Sequence, residues 1–186
     1  MVYKDLEQVH LVIGAQAPSA ISPMRHALIL LNAVLGGSMS SWLFQEIREK
    51  RGLAYAVCSY LNPYLDAGLF GIYTATDQEK IRDVLALVRE GLDHFRFESL
   101  SERELLDAKE QIKGNFLLGM ESTDLRMSRL ARNEFCFGRP LPPEEFIARI
   151  DAVTEVEIRD LAGVMFRPEA MTITALGPIS ESDLVF

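Results

Sequence analysis

The chain has 186 residues, enough for one large domain or two small ones. At 48% hydrophobic and 25% charged it has the composition of an ordinary soluble globular protein. No apolar run approaches the roughly 18–20 residues needed to span a bilayer, and a formal net charge of -8 argues against a general polyanion binder, which would need clustered Lys and Arg. The one basic cluster, Arg48, Lys50 and Arg51, is interleaved with Glu46 and Glu49 and reads as a solvated helix end. No basic segment followed by an apolar one opens the chain, so a cytoplasmic setting is the expectation, with a periplasmic or organellar one open if a targeting segment is missing. Cys58 and Cys136 are the only cysteines; both sit in apolar surroundings and read as small core residues in a reducing compartment.

In chain order, "EQVHLVIGAQA" alternates Val9, Leu11 and Ile13 against Gln8, His10 and Val12 and predicts a strand. "SPMRHALILLNAVLGG" predicts a helix with Ser22 as N-cap, Pro23 in its first turn and Gly36-Gly37 as its stop. "GGSMSS" reads as a tight interhelical turn, after which Ser40 or Ser41 caps a helix "SWLFQEIREKR" with a buried stripe of Met39, Leu43 and Ile47. "YAVCSYLNPYL" and "AGLFGIYTATD" flank a turn-rich connection and predict an antiparallel hairpin. The next helix carries Ile81, Leu85, Val88, Leu92 and Phe95 on one stripe. A longer helical stretch opens on a capping box, Ser101 with Glu104, and Gly114, Gly119 or "ESTD" can kink or divide it. Two short helices follow, the second opening at Thr154 with Glu157 three residues on, and "AMTITALGPI" closes as a strand. Blocks of strands and helices without strict alternation predict an α+β two-layer sandwich over residues 1–186, one domain with helices on one face of a largely antiparallel sheet.

No complete catalytic set is visible. His10, His26 and His94 lie far apart, and none has the i, i+4 histidine partner of a helical zinc site. There is no G-x-S-x-G elbow and no phosphate-binding glycine loop with its lysine. Locally, an arginine such as Arg48 near a helix C-terminus fits the helix dipole, and a tyrosine such as Tyr55 at the start of a strand fits packing.

The segments "LEQVHLVIG", "LNAVLGGSMSSWLFQEIREKRGLAYAVCSY", "AGLFGIYTAT", "AKEQIKGNFLLGMEST" and "ITALGPI", spread in order from about Leu6 to Ile179, carry a resemblance. Together they resemble the C-terminal homology domain of the pitrilysin/insulinase-like zinc metallopeptidases, the family of the mitochondrial processing peptidase and its bacterial relatives. The resemblance implies an enzyme of two similar halves enclosing a chamber. One half carries a His-x-x-Glu-His zinc motif. The other, which this chain resembles, binds no metal and supplies an arginine and a tyrosine that face the zinc.

The family pattern R-x-x-x-x-L-x-Y falls here on Arg48, Leu53 and Tyr55. It implies that Arg48 and Tyr55 assist catalysis through substrate and oxyanion contacts, with zinc on a missing or partner half and a peptide as substrate. The chain alone is then inactive, and homo-oligomers are compatible with the family. Trp42 stands where bacterial relatives often carry a basic or other polar residue, which makes it a candidate chamber-wall or interface aromatic. Two other readings stand beside this one: a non-catalytic scaffold or assembly subunit of the same fold, and a free-standing peptide-binding module that adds a strand to a sheet edge.

Overall fold

The computed structural model describes residues 1–184. Its elements are strands β1 (Val2–Tyr3) and β2 (Val9–Ala17), helix α1 (Arg25–Leu35), a π-helical turn (Phe44–Glu49), strands β3 (Ala54–Pro63) and β4 (Gly68–Thr76), helices α2 (Ile81–Phe97), α3 (Glu102–Gly119), α4 (Thr123–Phe137), α5 (Pro143–Ala152) and α6 (Glu155–Met165), and strand β5 (Met171–Gly177). The strands form one sheet in the order β1-β5-β2-β4-β3. All pairings are antiparallel except that of β1 with β5.

Period-two alternation gives the sheet two unlike faces. Val9, Leu11 and Ile13 of β2 and Phe70 and Ile72 of β4 are fully buried under the helices. They meet Leu30, Leu31 and Leu35 of α1, Val84 and Val88 of α2, and Ala162 of α6 in a single core. Burying each such large aliphatic or aromatic side chain contributes about 1.5–3 kcal/mol. The opposite face carries His10, Tyr60 and Tyr73; the Tyr60 ring lies over Gly71, where a Cβ would come within 2.4 Å of it. This is the expected α+β sandwich.

Several details depart from expectation. β1 is a two-residue parallel edge strand that was not expected; it is too short to show a periodicity, and Val2 and Tyr3 are both exposed. The Ser22 hydroxyl accepts the Met24 N–H at 3.2 Å as expected of a cap, yet regular helix begins only at Arg25. Met39 is 75% exposed and falls outside the Leu43–Ile47 stripe, because it lies in the turn before the helix, where the periodicity has not begun. Neither Ser40 nor Ser41 caps that helix through its side chain; the Ser41 hydroxyl donates to the Ser38 carbonyl at 2.5 Å instead. Cys58 is exposed, not core: β3 is an edge strand whose Val57 and Ser59 turn toward the helices, so Cys58 between them turns away. Cys136 is half-buried.

The long helical stretch divides after Gly119, where Ser122 caps α4, while Gly114 stays inside α3. Both expected capping boxes are present, Ser101 with Glu104 and Thr154 with Glu157. Gly36 does more than end α1. A Cβ there would lie 2.7 Å from the Ser59 backbone nitrogen, so the glycine lets the helix end touch β3. The Ser59 N–H donates to the Gly36 carbonyl at 2.9 Å and its hydroxyl to the Asn32 carbonyl at 3.2 Å. No helix among the described residues is long and apolar enough to cross a membrane.

His26, on α1, is 6% exposed and packs its ring 5.9 Å from that of Phe146 on α5. Burial, reinforced by the charges of Arg25 and Arg149, lowers its pKa from 6.5 to about 4. A histidine held neutral by the fold but free to protonate when unfolded makes the unfolded state bind more protons as pH falls. Stability is then lost between the unfolded and folded pKa values, and not further below about pH 4. Urea denaturation at pH 7.5 and pH 5 should show a histidine contribution of roughly 2 kcal/mol lost on acidification. In His26→Leu the pH dependence should shrink by that amount; an unchanged dependence would mean that His26 titrates normally.

Candidate functional site

The joint from the π-helical turn to β3 positions both candidate residues. Leu43 and Ile47 anchor the turn in the core, each fully buried. The Lys50 N–H donates to the Gln45 carbonyl at 2.9 Å, five residues back, so this turn is wider than an α-helix. Gly52 closes it at φ 58, a left-handed conformation that other residues adopt only at a cost. Its N–H donates to the Arg48 carbonyl at 3.1 Å, and the Leu53 N–H to the Ile47 carbonyl at 2.9 Å. From the sheet side, the buried Thr76 hydroxyl donates to the Leu53 carbonyl at 2.5 Å.

β3 then begins with a bulge. Ala54 pairs with Thr76 and Ala56 with Ala75, so Tyr55 is the extra residue between two consecutive partners. A bulge re-aims the side chain it carries, and Tyr55 is 78% exposed. The Arg48 guanidinium carbon lies 4.7 Å from the centre of its ring and 4.9 Å from that of Phe44. Each such contact at an exposed site is worth about 0.5–1 kcal/mol.

Neighbouring charges explain why Arg48 is the arginine that reaches Tyr55. Lys50 binds the Glu46 carboxylate at 2.5 Å and Arg51 binds its second oxygen. Those two hydrogen bonds hold the Glu46 carboxyl below its ordinary pKa. The Arg48 Nε is 3.7 Å from the Glu49 carboxylate, beyond hydrogen-bond distance, and the side chain is 36% exposed. With the rings against its faces, the guanidinium keeps edge N–H donors for a carbonyl or carboxylate. The Tyr55 hydroxyl can donate beside it.

The three histidines are not brought together. His10 Nδ1 shares a hydrogen bond with the Tyr73 hydroxyl at 2.9 Å, His94 Nδ1 lies 3.1 Å from the Glu98 carboxylate, and His26 is in the core. Among the described residues no group of three or more His, Cys, Asp or Glu is placed to hold a metal ion, so this chain's own side chains do not fit zinc. Trp42 packs against α2: a Cβ on Gly91 would come within 2.7 Å of its ring. Sequence reasoning named Arg48 and Tyr55, which the fold brings into contact, but did not name Phe44 or the bulge. The four-residue spacing of Phe44 and Arg48 was the available signal for the first.

The chain matches the family described as Peptidase M16 inactive domain over residues 1–112. It is 37% identical over 182 residues to an "Uncharacterized zinc protease" of Streptomyces coelicolor, covering 97% of this chain and 39% of that protein. It is 38% identical over 163 residues to one of Bacillus subtilis, covering 88% of this chain and 40% of that protein. Among solved structures, a conserved protein from Enterococcus faecalis superposes with a TM-score of 0.83 at 27% identity, covering 97% of this chain and 41% of the other. A peptidase M16 inactive domain from Pseudomonas fluorescens superposes with a TM-score of 0.84 at 24% identity, covering 96% and 43%. The chain therefore belongs to the M16 inactive-domain family, and its curated relatives are named uncharacterized zinc proteases. It spans about two-fifths of the length of those relatives.

Replacing Gly52 tests how firmly the joint is specified. A Cβ at Gly52 would meet nothing within 4 Å, so Gly52→Ala isolates the backbone cost, about 1–2 kcal/mol. The urea midpoint should fall with m unchanged; an unchanged midpoint would show that the positive φ is not required.

Proposed function

We propose that this chain is the substrate-binding and transition-state-assisting half of a zinc metallopeptidase that cleaves peptides in an enclosed chamber. Its partner is a zinc-bearing half, on the same longer polypeptide or on a second subunit, in a bacterial cytoplasm. The observation that carries the reading is the exposed Tyr55, presented by a bulge and stacked on Arg48, in a chain whose relatives are named zinc proteases.

Peptide hydrolysis places negative charge on the scissile carbonyl oxygen, and preorganised donors aimed at that oxygen lower the barrier. In this reading the Tyr55 hydroxyl donates to the developing oxyanion. Arg48 offers its planar fork to a neighbouring backbone carbonyl or carboxylate of the peptide and fixes its register. The Phe44 and Tyr55 rings hold the guanidinium so that little side-chain entropy is lost on binding. Water activation lies with the other half, so this chain alone hydrolyses nothing. Because the two halves must meet around the peptide, closure becomes part of turnover and excludes bulk water.

The test is Tyr55→Phe in the longer protein that includes the zinc-bearing half, assayed on a quenched fluorescent peptide. Phenylalanine keeps the ring over Arg48 and removes only the hydroxyl. Turnover should fall about 10²-fold, as for loss of one oxyanion donor, with the urea midpoint unchanged. The isolated chain should show no cleavage with or without added zinc. Full turnover by Tyr55→Phe would remove the proposed role of its hydroxyl. A zinc-loaded longer protein that cleaves no peptide would favour the scaffold reading.

A further inference from the structure

A cavity of about 220 Å³ lies between α1, α4 and α5 and the chain ends of β2 and β3. Its walls are largely apolar, with Leu28, Leu61, Phe137 and Phe146 among them. Four arginines also line it: Arg25, Arg129, Arg132 and Arg149. In a chain of net charge -8 this is an unusual concentration of positive charge.

None of the four arginines has a carboxylate partner among the described ion pairs. The one acidic residue of the lining, Glu145, is already held by Arg139 through two hydrogen bonds of 3.0 and 2.9 Å. Two of the arginines are placed by aromatic rings. The Arg25 guanidinium carbon is 4.9 Å from the centre of the Phe137 ring, and that of Arg129 is 4.0 Å from Phe116 and 5.4 Å from Phe146. Burial, followed by the nearby Arg149 charge, lowers the pKa of Arg25, with the Glu145 carboxylate opposing the shift; burial lowers that of Arg129.

Asn133 is the single buried residue of α4 and is 6% exposed. It lines the same cavity, and its side-chain Nδ2 is buried with no hydrogen-bond partner among the described residues. A buried donor without an acceptor costs about 1–3 kcal/mol. The Arg25 guanidinium donates to the Ser22 carbonyl at 3.1 Å, and those of Arg129, Arg132 and Arg149 have no hydrogen-bond partner among the described residues. The buried Asn133 nitrogen is closed off from the cavity, so the arginines over the apolar aromatic floor are what lack an anionic acceptor attached to an apolar body.

We propose that this cavity binds a small organic anion, with an apolar body about the size of one aromatic ring seated against Phe137 and Phe146 and its carboxylate or phosphate at the arginines. The volume falls below the roughly 300–1,000 Å³ of drug-sized sites, so the occupant is small. Arg25 and Arg129 are half-buried and stacked, which preorganises their donors; Arg132 and Arg149 are exposed and act at longer range. The site shares no residue with the Arg48–Tyr55 stack, so it stands or falls independently of the proposed peptidase role.

The test is titration of the 186-residue chain, followed by calorimetry and by NMR shifts, with phenylacetate, phenyl phosphate, inorganic phosphate and benzyl alcohol as probes. Phenylacetate or phenyl phosphate should bind with Kd below about 1 mM, more weakly at high salt, and the tighter of the two identifies the head group. Benzyl alcohol, which keeps the ring without the charge, and inorganic phosphate, which keeps the charge without the ring, should each bind at least about tenfold more weakly. Arg132→Gln and Arg149→Gln, both at exposed positions that the fold does not need, should each weaken binding severalfold; Arg159→Gln on α6 should not. Absence of binding by both organic anions at millimolar concentration would overturn the proposal. So would benzyl alcohol matching phenylacetate, inorganic phosphate matching phenyl phosphate, or indifference of binding to both cavity arginines.

Discussion

Leu53 is held from two directions. Its N–H donates to the Ile47 carbonyl of the π-helical turn, and its carbonyl accepts the Thr76 hydroxyl of the central hairpin. Ile47 and Thr76 are both buried, so neither bond can shift without moving the core. This clamp fixes where the turn ends and where β3 begins. The bulge at Tyr55 follows two residues later, and Arg48 lies one residue past Ile47 on the turn. The stack therefore inherits its geometry from buried groups and not from the surface side chains that compose it. An exposed tyrosine and a half-buried arginine held only by their own cation–π contact would otherwise exchange rotamers freely.

Charge is sorted along the same segment. Glu46 takes both Lys50 and Arg51, which leaves Arg48 with only the Glu49 carboxylate at 3.7 Å, too long for a hydrogen bond. In sequence the run of alternating acids and bases looks like any solvated helix end. In space it divides into a closed cluster and one arginine that no carboxylate holds by a hydrogen bond. At the cavity beyond α1 the sorting is the reverse: like charges gather around apolar walls while the single acid is turned to Arg139. The protein thus keeps one arginine without a hydrogen-bonded carboxylate at the surface and four in a recess.

Much of the layered architecture was legible in the sequence because it rests on local signals. The alternation of β2, the hairpin, the stripe of α2 and both capping boxes repeat over several residues or depend on neighbours three apart. The resemblance also singled out Arg48 and Tyr55. What could not be read depends on contacts across the chain. β1 exists only because β5 lies beside it, Gly36 is needed because Ser59 approaches it, and Cys58 is exposed because β3 is an edge strand. The π-helical widening and the bulge at Tyr55 each involve one residue more than the regular repeat, which a periodicity cannot register. The arginines of the cavity come from three separate helices, α1, α4 and α5, so no spacing in the sequence joins them.

The central claim is that Arg48 and Tyr55 form one positioned unit on the substrate side of a divided active site. A double-mutant cycle on kcat/KM tests it most directly, using Arg48→Met, Tyr55→Leu and the pair in the longer protein carrying the zinc-bearing half. Both substitutions break the stack, so each alone should cost most of what the pair costs, and the double mutant should lose far less than the product of the single losses. Losses that multiply as for independent residues, or single substitutions that leave kcat/KM unchanged, would contradict it.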